Sequence, residues 1–215
     1  MSHSTAPSDW RLAHGVAFVL LMAGAFSFPG LRQWPWVWLA PFIAYFGLVV
    51  CVPRLRRSMG WLRAGRVSPA SIAATIAVMA STVLTLVLFH ATIRPEVHDF
   101  RAAMPFEALG GVIMAGVVFT IVNATLEELV FRGVLFDALQ SQWGVWVTLA
   151  ATALLFGLGH LRGYPSGVAG ACLAALFGFA MGVLRLWTGG LALPIVAHMA
   201  ADATIYSILV RSGAI

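Results

Sequence analysis

The sequence has no lysine, only two cysteines and few charged residues of either sign. Of its 215 residues, 10% are charged and 60% are hydrophobic, and the mean hydropathy is +0.91. Soluble domains are about 25% charged and roughly 45–50% apolar, so this composition excludes a soluble globular domain and a disordered chain. It predicts an integral membrane protein, and the length allows about six to eight spans of roughly 20 residues each.

Basic residues outnumber acidic residues, and arginine supplies all of the fixed positive charge. The chain has 13 arginines against 8 acidic residues, a net charge of +5. Five of the arginines lie in one loop, residues 53–66, which contains no acidic residue. Such clusters set the orientation of membrane proteins, so we expect this loop on the cytoplasmic side, in contact with lipid headgroups, and no nucleic-acid partner.

The two cysteines, Cys51 and Cys172, both lie in apolar stretches. Neither is part of a metal-binding spacing, and free cysteine behaves as a small apolar residue. The sequence therefore predicts buried, unreactive thiols that carry no information about the redox compartment.

The apolar runs and the breaks between them predict an all-α, polytopic bundle of about seven transmembrane helices. No internal repeat is visible. In the sixth run, Gly178 and Gly182 have the spacing of small residues that lets membrane helices pack closely. The predicted runs are residues 12–28, 36–52, 71–93, 109–126, 145–158, 168–187 and 191–210.

A few ionisable residues interrupt the late apolar runs. A charge near the centre of a bilayer costs about 3 kcal/mol or more, so such residues are rare and usually functional. The alternative for each histidine is a core side chain whose hydrogen bonds are satisfied. The residues are Glu127, Glu128, Arg132, His160, His198 and Asp202.

Helical spacing relates these residues to one another. Glu128 and Arg132 are four residues apart and can form an ion pair on one helix face. If the fourth and fifth helices form a hairpin that turns near residues 140–144, Glu127 and His160 lie within about one helical turn in depth. We therefore expect Glu127, His160 and His198 to converge within about 4–6 Å around a water molecule.

These residue types suit hydrolysis by an activated water. A buried carboxylate can deprotonate water, and histidines can orient it and stabilise an oxyanion. The sequence has no nucleophile elbow and no His-Glu-x-x-His motif. The same acids and histidines could also form the proton relay of a proton-coupled transporter.

Three motifs, in order, resemble those of the CPBP (CAAX protease and bacteriocin-processing, or Abi) intramembrane endopeptidases. Glu127, Glu128 and Arg132 match Glu-Glu-x-x-x-Arg. The other two matches are Phe156 to His160 and His198 to Asp202. The resemblance covers about residues 109–209. It implies a polytopic helical fold and endopeptidase activity on a membrane protein or peptide. The implied division is a polar tail (1–11), N-terminal spans (12–107) and a catalytic core (108–212).

The resemblance also implies catalytic roles. Glu127 corresponds to the general base, His160 positions the water, and His198 with Asp202 would stabilise the oxyanion. Many members carry asparagine where this chain has Asp202, and an aspartate donates a hydrogen bond only when protonated. Asp202 is therefore open to three readings: a protonated donor, an acceptor that orients His198, or a metal ligand.

The remaining motif residues correspond to supporting positions. Glu128 and Arg132 match the supporting ion pair, which could equally be purely structural. Phe156 is expected to shape the cavity.

A metal and the alternative functions also stay open. Glu127, His160 and His198 could hold zinc with a water as the fourth ligand. The acidic pair beside an arginine lowers the need for a cation, so we expect no obligate cofactor. The fold could also carry a non-catalytic membrane or immunity protein. The all-arginine basic set suits a bacterial inner-membrane protein, which argues against prenylated substrates.

Overall fold

The computed structural model describes residues 8–97 and 109–212, and within these ranges the protein is helical and contains no β-strand. A short 3₁₀ turn, Pro29–Leu31, joins the first two helices. The helices are α1 (Ser8–Ser27), α2 (Trp36–Cys51), α3 (Pro53–Ser58), α4 (Pro69–Ile93), α5 (Leu109–Glu128), a π-helix (Leu129–Val134), α6 (Leu135–Gly159), α7 (Gly167–Thr188) and α8 (Ala192–Arg211).

The helices form a membrane bundle, which confirms the predicted fold class. Within the described residues, five helical stretches are long and apolar enough to cross a membrane. One of them, Leu109–Gly159, is 51 residues long, and the apolar helix α2 is shorter than a typical span. The number of seven crossings and the cytoplasmic side of the arginine loop stay predictions. The predicted division between residues 107 and 108 lies outside the described residues.

The 51-residue stretch folds back on itself at Gly144. Gly144 has φ 74° and ψ 179°, a backbone conformation that interrupts α6 and that glycine adopts without strain. The rings of Phe131 and Phe156, on opposite sides of this residue, lie 5.1 Å apart. The predicted hairpin with a turn near residues 140–144 is therefore confirmed.

Helix α7 packs closely against this hairpin because two of its contact residues are glycines. A Cβ atom at Gly178 would lie 3.2 Å from Arg132 Nη2 and 3.3 Å from Phe156 Cβ. A Cβ atom at Gly182 would lie 2.6 Å from Leu149 Cδ2. The glycine spacing that predicted close packing thus lies at the contact between α7 and α6.

The N-terminal helices hold residues 53–66, the arginine loop, against the π-helix. His14 is buried; it accepts a hydrogen bond from the Tyr45 hydroxyl (2.6 Å) and donates to the carbonyl of Leu55 in α3 (3.0 Å). Trp61, in the loop, is fully buried, and a Cβ atom at Gly133 would lie 2.6 Å from its ring. The loop therefore forms part of the packing that supports the π-helix.

Helix α1 begins earlier than the predicted first apolar run. It starts at Ser8, so its first turn overlaps the predicted polar tail 1–11, and Arg11 in α1 forms a bidentate ion pair with Asp137. The carboxylate of Asp137 is buried at this contact.

The prediction of buried cysteines is wrong, because Cys51 and Cys172 are both exposed.

Candidate active site

The π-helix carries Arg132, the last residue of the first motif, and two hydrogen bonds fix it to α7. Arg185 of α7 donates a hydrogen bond from Nε to the carbonyl of Arg132 at 3.2 Å. The side chain of Arg132 donates in return from Nη2 to the carbonyl of Gly178 in α7 at 3.0 Å. These two bonds lock the π-helix to α7, so the guanidinium is held in one orientation inside the bundle.

Glu128 and Arg132 form a completely buried ion pair. Arg132 Nη1 donates to Glu128 Oε1 at 2.9 Å, and both side chains are 0% exposed. The guanidinium also lies over the ring of Phe156, 4.6 Å from its centroid. Glu128 Oε1 accepts a second hydrogen bond, from His198 Nδ1, at 2.8 Å. One carboxylate oxygen therefore joins the π-helix to α8 and fixes the histidine ring.

One carboxylate oxygen of Glu127 accepts a hydrogen bond, and the other has no hydrogen-bond partner among the described residues. Its Oε1 accepts a hydrogen bond from Asn123 Nδ2 at 3.2 Å. Its Oε2 is buried and has no hydrogen-bond partner among the described residues. That oxygen lies 3.6 Å from His198 Nε2. A buried acceptor without a partner is unusual, and here it stands next to the ring nitrogen of a motif histidine.

Asp202 approaches the same ring nitrogen. Its Oδ1 is 3.7 Å from His198 Nε2, and its Oδ2 accepts a hydrogen bond from Asn123 Nδ2 at 3.2 Å. His198 thus has Glu128 at Nδ1 and both Glu127 and Asp202 near Nε2. Three carboxylates converge on one imidazole, with Arg132 bound to only one of them.

His160 is held by its own helix. A carbonyl only accepts hydrogen bonds, so His160 Nδ1–H donates to the carbonyl of Phe156 at 2.9 Å. Its Nε2 is then an acceptor, and it has no protein partner among the described residues. The ring of Phe156 contacts both histidines, with centroid distances of 4.6 Å to His160 and 5.7 Å to His198. Phe156 therefore packs against both rings.

These side chains lie along the wall of one cavity of about 870 Å³. The cavity wall includes Glu127, His160, His198 and Asp202, so all four predicted catalytic residues border the same space. Most of the wall is apolar and comes from α4, α5, α7 and α8. The carboxylates are grouped around His198, and the wall also includes Arg162 and hydroxyl side chains of α4 among mainly apolar residues, a composition typical of ligand sites.

Tyr164, in the loop between α6 and α7, also lines the cavity. Its hydroxyl bonds His90 Nδ1 at 3.1 Å, and Ser212 Oγ bonds His90 Nε2 at 3.0 Å. Partial burial raises the pKa of Tyr164 to about 12, so the hydroxyl stays protonated at physiological pH. This network joins the last turn of α4 to the loop between α6 and α7 and to the residue that follows α8.

Asn123 is the site residue that sequence reasoning missed. It lies four residues before Glu127, on the same face of α5, and it is 8% exposed. The signal was present, because a carboxamide in an apolar run at this spacing shares a helix face with a motif glutamate. It was overlooked because it belongs to none of the three motifs.

The sequence suggested Glu127, His160 and His198 as the ligands of a possible metal. Among the described residues, no group of three histidine, cysteine, aspartate or glutamate side chains is arranged to hold a metal ion. Nδ1 of His160 binds the carbonyl of Phe156 and Nδ1 of His198 binds Glu128, which leaves Nε2 of each ring without a hydrogen bond among the described residues. The expectation of no obligate metal cofactor stays a prediction.

Comparison with known proteins gives one family and one relative. Residues 109–204 match the family described as type II CAAX prenyl endopeptidase Rce1-like. An uncharacterised 24.3 kDa protein of Escherichia coli is 32% identical over 99 residues, which are 44% of this chain and 44% of that protein. The match thus spans less than half of the relative's length. No solved structure matches.

The matched segment contains Glu127, Glu128, Arg132, His160, His198 and Asp202. It also contains Asn123 and most of the cavity wall. The segment from 109 to 204, which forms most of the site, is similar to the type II CAAX prenyl endopeptidase Rce1-like family.

Proposed function

We propose that the protein is an intramembrane endopeptidase of a bacterial inner membrane, which hydrolyses a peptide bond of a membrane-associated protein or peptide. The observation that carries the proposal is Glu127 Oε2, a buried acceptor without a partner among the described residues, 3.6 Å from His198 Nε2 at the edge of an apolar cavity. An unpaired carboxylate oxygen in such a place is suited to bind and deprotonate a water.

In the first step, a water donates one hydrogen bond to Glu127 Oε2 and one to the free Nε2 of His160. Glu127 takes the first proton as the water oxygen attacks the scissile carbonyl carbon. A new C–O bond forms and the carbonyl π-electrons move to the oxygen. Holding the water between two fixed acceptors removes much of the entropic cost of the attack.

In the second step, the tetrahedral intermediate collapses. With both ring nitrogens protonated, His198 donates Nδ1–H to Glu128 and directs Nε2–H at the oxyanion. Glu127 then transfers its proton to the leaving nitrogen as the C–N bond breaks. The products are one carboxylic acid and one amine, and Glu127 returns to its carboxylate form.

The buried ion pair has a supporting role in this scheme. Glu128 Oε1 fixes His198 at Nδ1, and Arg132 fixes Glu128. Neither side chain borders the cavity. Both therefore act by orienting the histidine rather than by touching the reacting atoms.

The wall of the cavity indicates the substrate class. Apart from the polar groups near His198, it is lined mainly by aliphatic and aromatic side chains of α4, α5, α7 and α8. Arg162 is the one arginine among the residues that line it. Such a mainly apolar surface suits an apolar peptide segment that leaves the bilayer, because burial of apolar side chains on both partners is favourable. The favoured substrates are apolar tails or leader segments of bacterial membrane proteins.

The test compares Glu127→Gln with the wild-type protein. Membranes that contain each protein are compared for new N-termini, and a quenched fluorogenic peptide is made from the tail that persists with the variant. Cleavage of this peptide by purified Glu127→Gln in lipid vesicles should fall by about 10²–10⁴-fold, the usual loss of a general base.

The matched control is Thr125→Ala, on α5 but outside the cavity. This variant should cleave the peptide as the wild type does. Near wild-type cleavage by correctly inserted Glu127→Gln would rule out the glutamate base. Proton leakage through vesicles in the absence of any cleavage would favour the transporter alternative.

Treatment with a metal chelator tests, on the same peptide, whether cleavage requires a bound metal ion. Cleavage should survive treatment with 1,10-phenanthroline, because no three potential ligands among the described residues are arranged to hold a metal ion. Loss of cleavage that is restored by added zinc would contradict the metal-independent mechanism.

A further inference from the structure

Asn123 places one carboxamide between two carboxylates. Its Nδ2 lies 3.2 Å from Glu127 Oε1 and 3.2 Å from Asp202 Oδ2. Ionised carboxylates only accept hydrogen bonds, so the nitrogen of the amide, and not its oxygen, must face them. The amide has two N–H bonds and two acceptors, so each bond has its own carboxylate.

The two carboxylates need such a donor. Glu127 and Asp202 come from different helices, and both approach His198 Nε2, at 3.6 Å and 3.7 Å. The guanidinium of Arg132 is directed at Glu128 and at the carbonyl of Gly178. Without Asn123, two buried, acceptor-only groups would face each other, an arrangement that costs free energy in a medium of low dielectric constant.

The donor is neutral, and its neutrality suits a general base. An arginine or lysine at this position would satisfy both carboxylates but would also stabilise Glu127 as an anion and weaken it as a proton acceptor. A carboxamide fixes the direction of the carboxylate while adding no net charge. It binds Oε1 and leaves Oε2 without a partner among the described residues.

We propose that Asn123 is a positioning residue that holds Glu127 and Asp202 close to His198 Nε2 and keeps Glu127 Oε2 free for water. The inference rests on the proposed function, in which Glu127 is the base. It assigns Asp202 the role of an acceptor that completes this arrangement, in place of a metal ligand or an oxyanion donor.

The first test measures kcat and KM separately for cleavage of the same fluorogenic peptide. Asn123→Ala should lower kcat by about 10- to 150-fold, the effect of one lost hydrogen bond to a charged group. KM should change little, because the amide contacts two carboxylates of the enzyme. Thr125→Ala should leave both constants unchanged. An increase in KM with kcat unchanged would overturn the proposal and make Asn123 a substrate-binding residue.

The second test exchanges the amide and the acid. Asn123→Asp keeps the size of the side chain but puts three carboxylates together, and it should lose at least as much activity as Asn123→Ala. Combining it with Asp202→Asn restores one amide and two carboxylates at the same net charge. The double variant should cleave at least about 10-fold faster than Asn123→Asp alone. A double variant no better than that single one would overturn the proposal, since sites in direct contact should couple.

A third measurement separates failure of this inference from failure of the proposed function. In lipid vesicles without substrate, the ¹⁵N signals of the His198 ring, identified by their loss in His198→Ala, should move in Asn123→Ala and stay in place in Thr125→Ala. If Glu127→Gln cleaves normally but the signals move, the general base is wrong and the positioning role stands. If Glu127→Gln is inactive and Asn123→Ala behaves as the wild type does in all three measurements, the positioning role is wrong.

Discussion

At the scale of single residues, the buried pair of Glu128 and Arg132 is the most sensitive point in the site. Both side chains are fully buried, and Arg132 Nε and Glu128 Oε2 have no hydrogen-bond partner among the described residues. Removing one member of such a pair leaves an uncompensated buried charge, at a cost of about 3–5 kcal/mol. The pair therefore links folding in the membrane to the orientation of His198.

Glu128→Gln should thus lower the amount of inserted protein more than Glu127→Gln does. The introduced carboxamide would retain an oxygen for His198 but leave Arg132 without a counter-charge. Immunoblots of washed membranes measure the level, and cleavage per inserted molecule measures activity. Glu128→Gln combined with Arg132→Met should recover the level, because both charges are gone, while activity stays low. A level that falls further in the double variant would contradict this account.

Residues with a spacing signal could be predicted from the sequence, and residues defined by a tertiary partner could not. Glu128 and Arg132 share a helix face, so their ion pair follows from the sequence. Asp137 also lies on a helix, but its partner Arg11 comes from α1, 126 residues away. No local pattern reports such a contact. Asn123 bridges to Asp202 over 79 residues for the same reason.

At the scale of helices, the close contact of α7 with the hairpin holds the site in register. The carbonyl of Gly178 accepts a hydrogen bond from Arg132. Because Gly178 has no side chain, Phe156 can pack directly against α7 at this point. Gly178→Ala should destabilise the protein by about 1–3 kcal/mol, the usual cost of overpacking, and should lower activity as Arg132 is displaced. Thermal unfolding in detergent checks the first effect and peptide cleavage the second.

Gly24→Ala is the matched control, because a Cβ atom at Gly24 in α1 would meet nothing within 4 Å. It should leave the free energy of unfolding unchanged or slightly raise it. Equal destabilisation by the two substitutions would show that helix propensity, and not the contact with Arg132, governs the effect.

The ends of helices could be predicted from the sequence where an apolar run is interrupted by polar residues. The predicted run 168–187 corresponds to α7, Gly167–Thr188, and the run 71–93 to α4, Pro69–Ile93. Ser68 forms a capping box with Ser71, which explains the start of α4. The π-helix Leu129–Val134 was not predicted, because its widened turn depends on bonds from Arg132 and Arg185 to neighbouring elements.

At the scale of the whole molecule, the arginine loop and the turn between α7 and α8 form one surface. Arg66 donates its backbone N–H to the carbonyl of Thr188 at 2.8 Å, and Leu191 donates to the carbonyl of Arg63 at 2.8 Å. A Cβ atom at Gly190 would lie 2.0 Å from the backbone nitrogen of Gly65. These contacts require that both segments lie on the same side of the membrane.

The beginning of α1 and the end of the hairpin belong to this same arginine-rich end. Arg54 lies over the ring of Trp10, 5.6 Å from its centroid, and Arg11 pairs with Asp137 near the hairpin turn. His90, Tyr164 and Ser212 come together at the opposite end of the bundle. Because arginine is retained on the cytoplasmic side, the first end should face the cytoplasm and the second the outside.

Single cysteines introduced into a chain that lacks Cys51 and Cys172 test this topology. Cysteines at the positions of Arg57 and Trp143 should react with a membrane-impermeant maleimide only in inverted inner-membrane vesicles, whereas a cysteine at the position of Arg162 should react in intact spheroplasts. Both native cysteines are exposed, so their removal does not disturb the packed interior. Labelling of the Arg57 and Arg162 positions from the same side would contradict the arrangement, and labelling of the Arg57 position from outside would reverse the orientation while leaving the bundle intact.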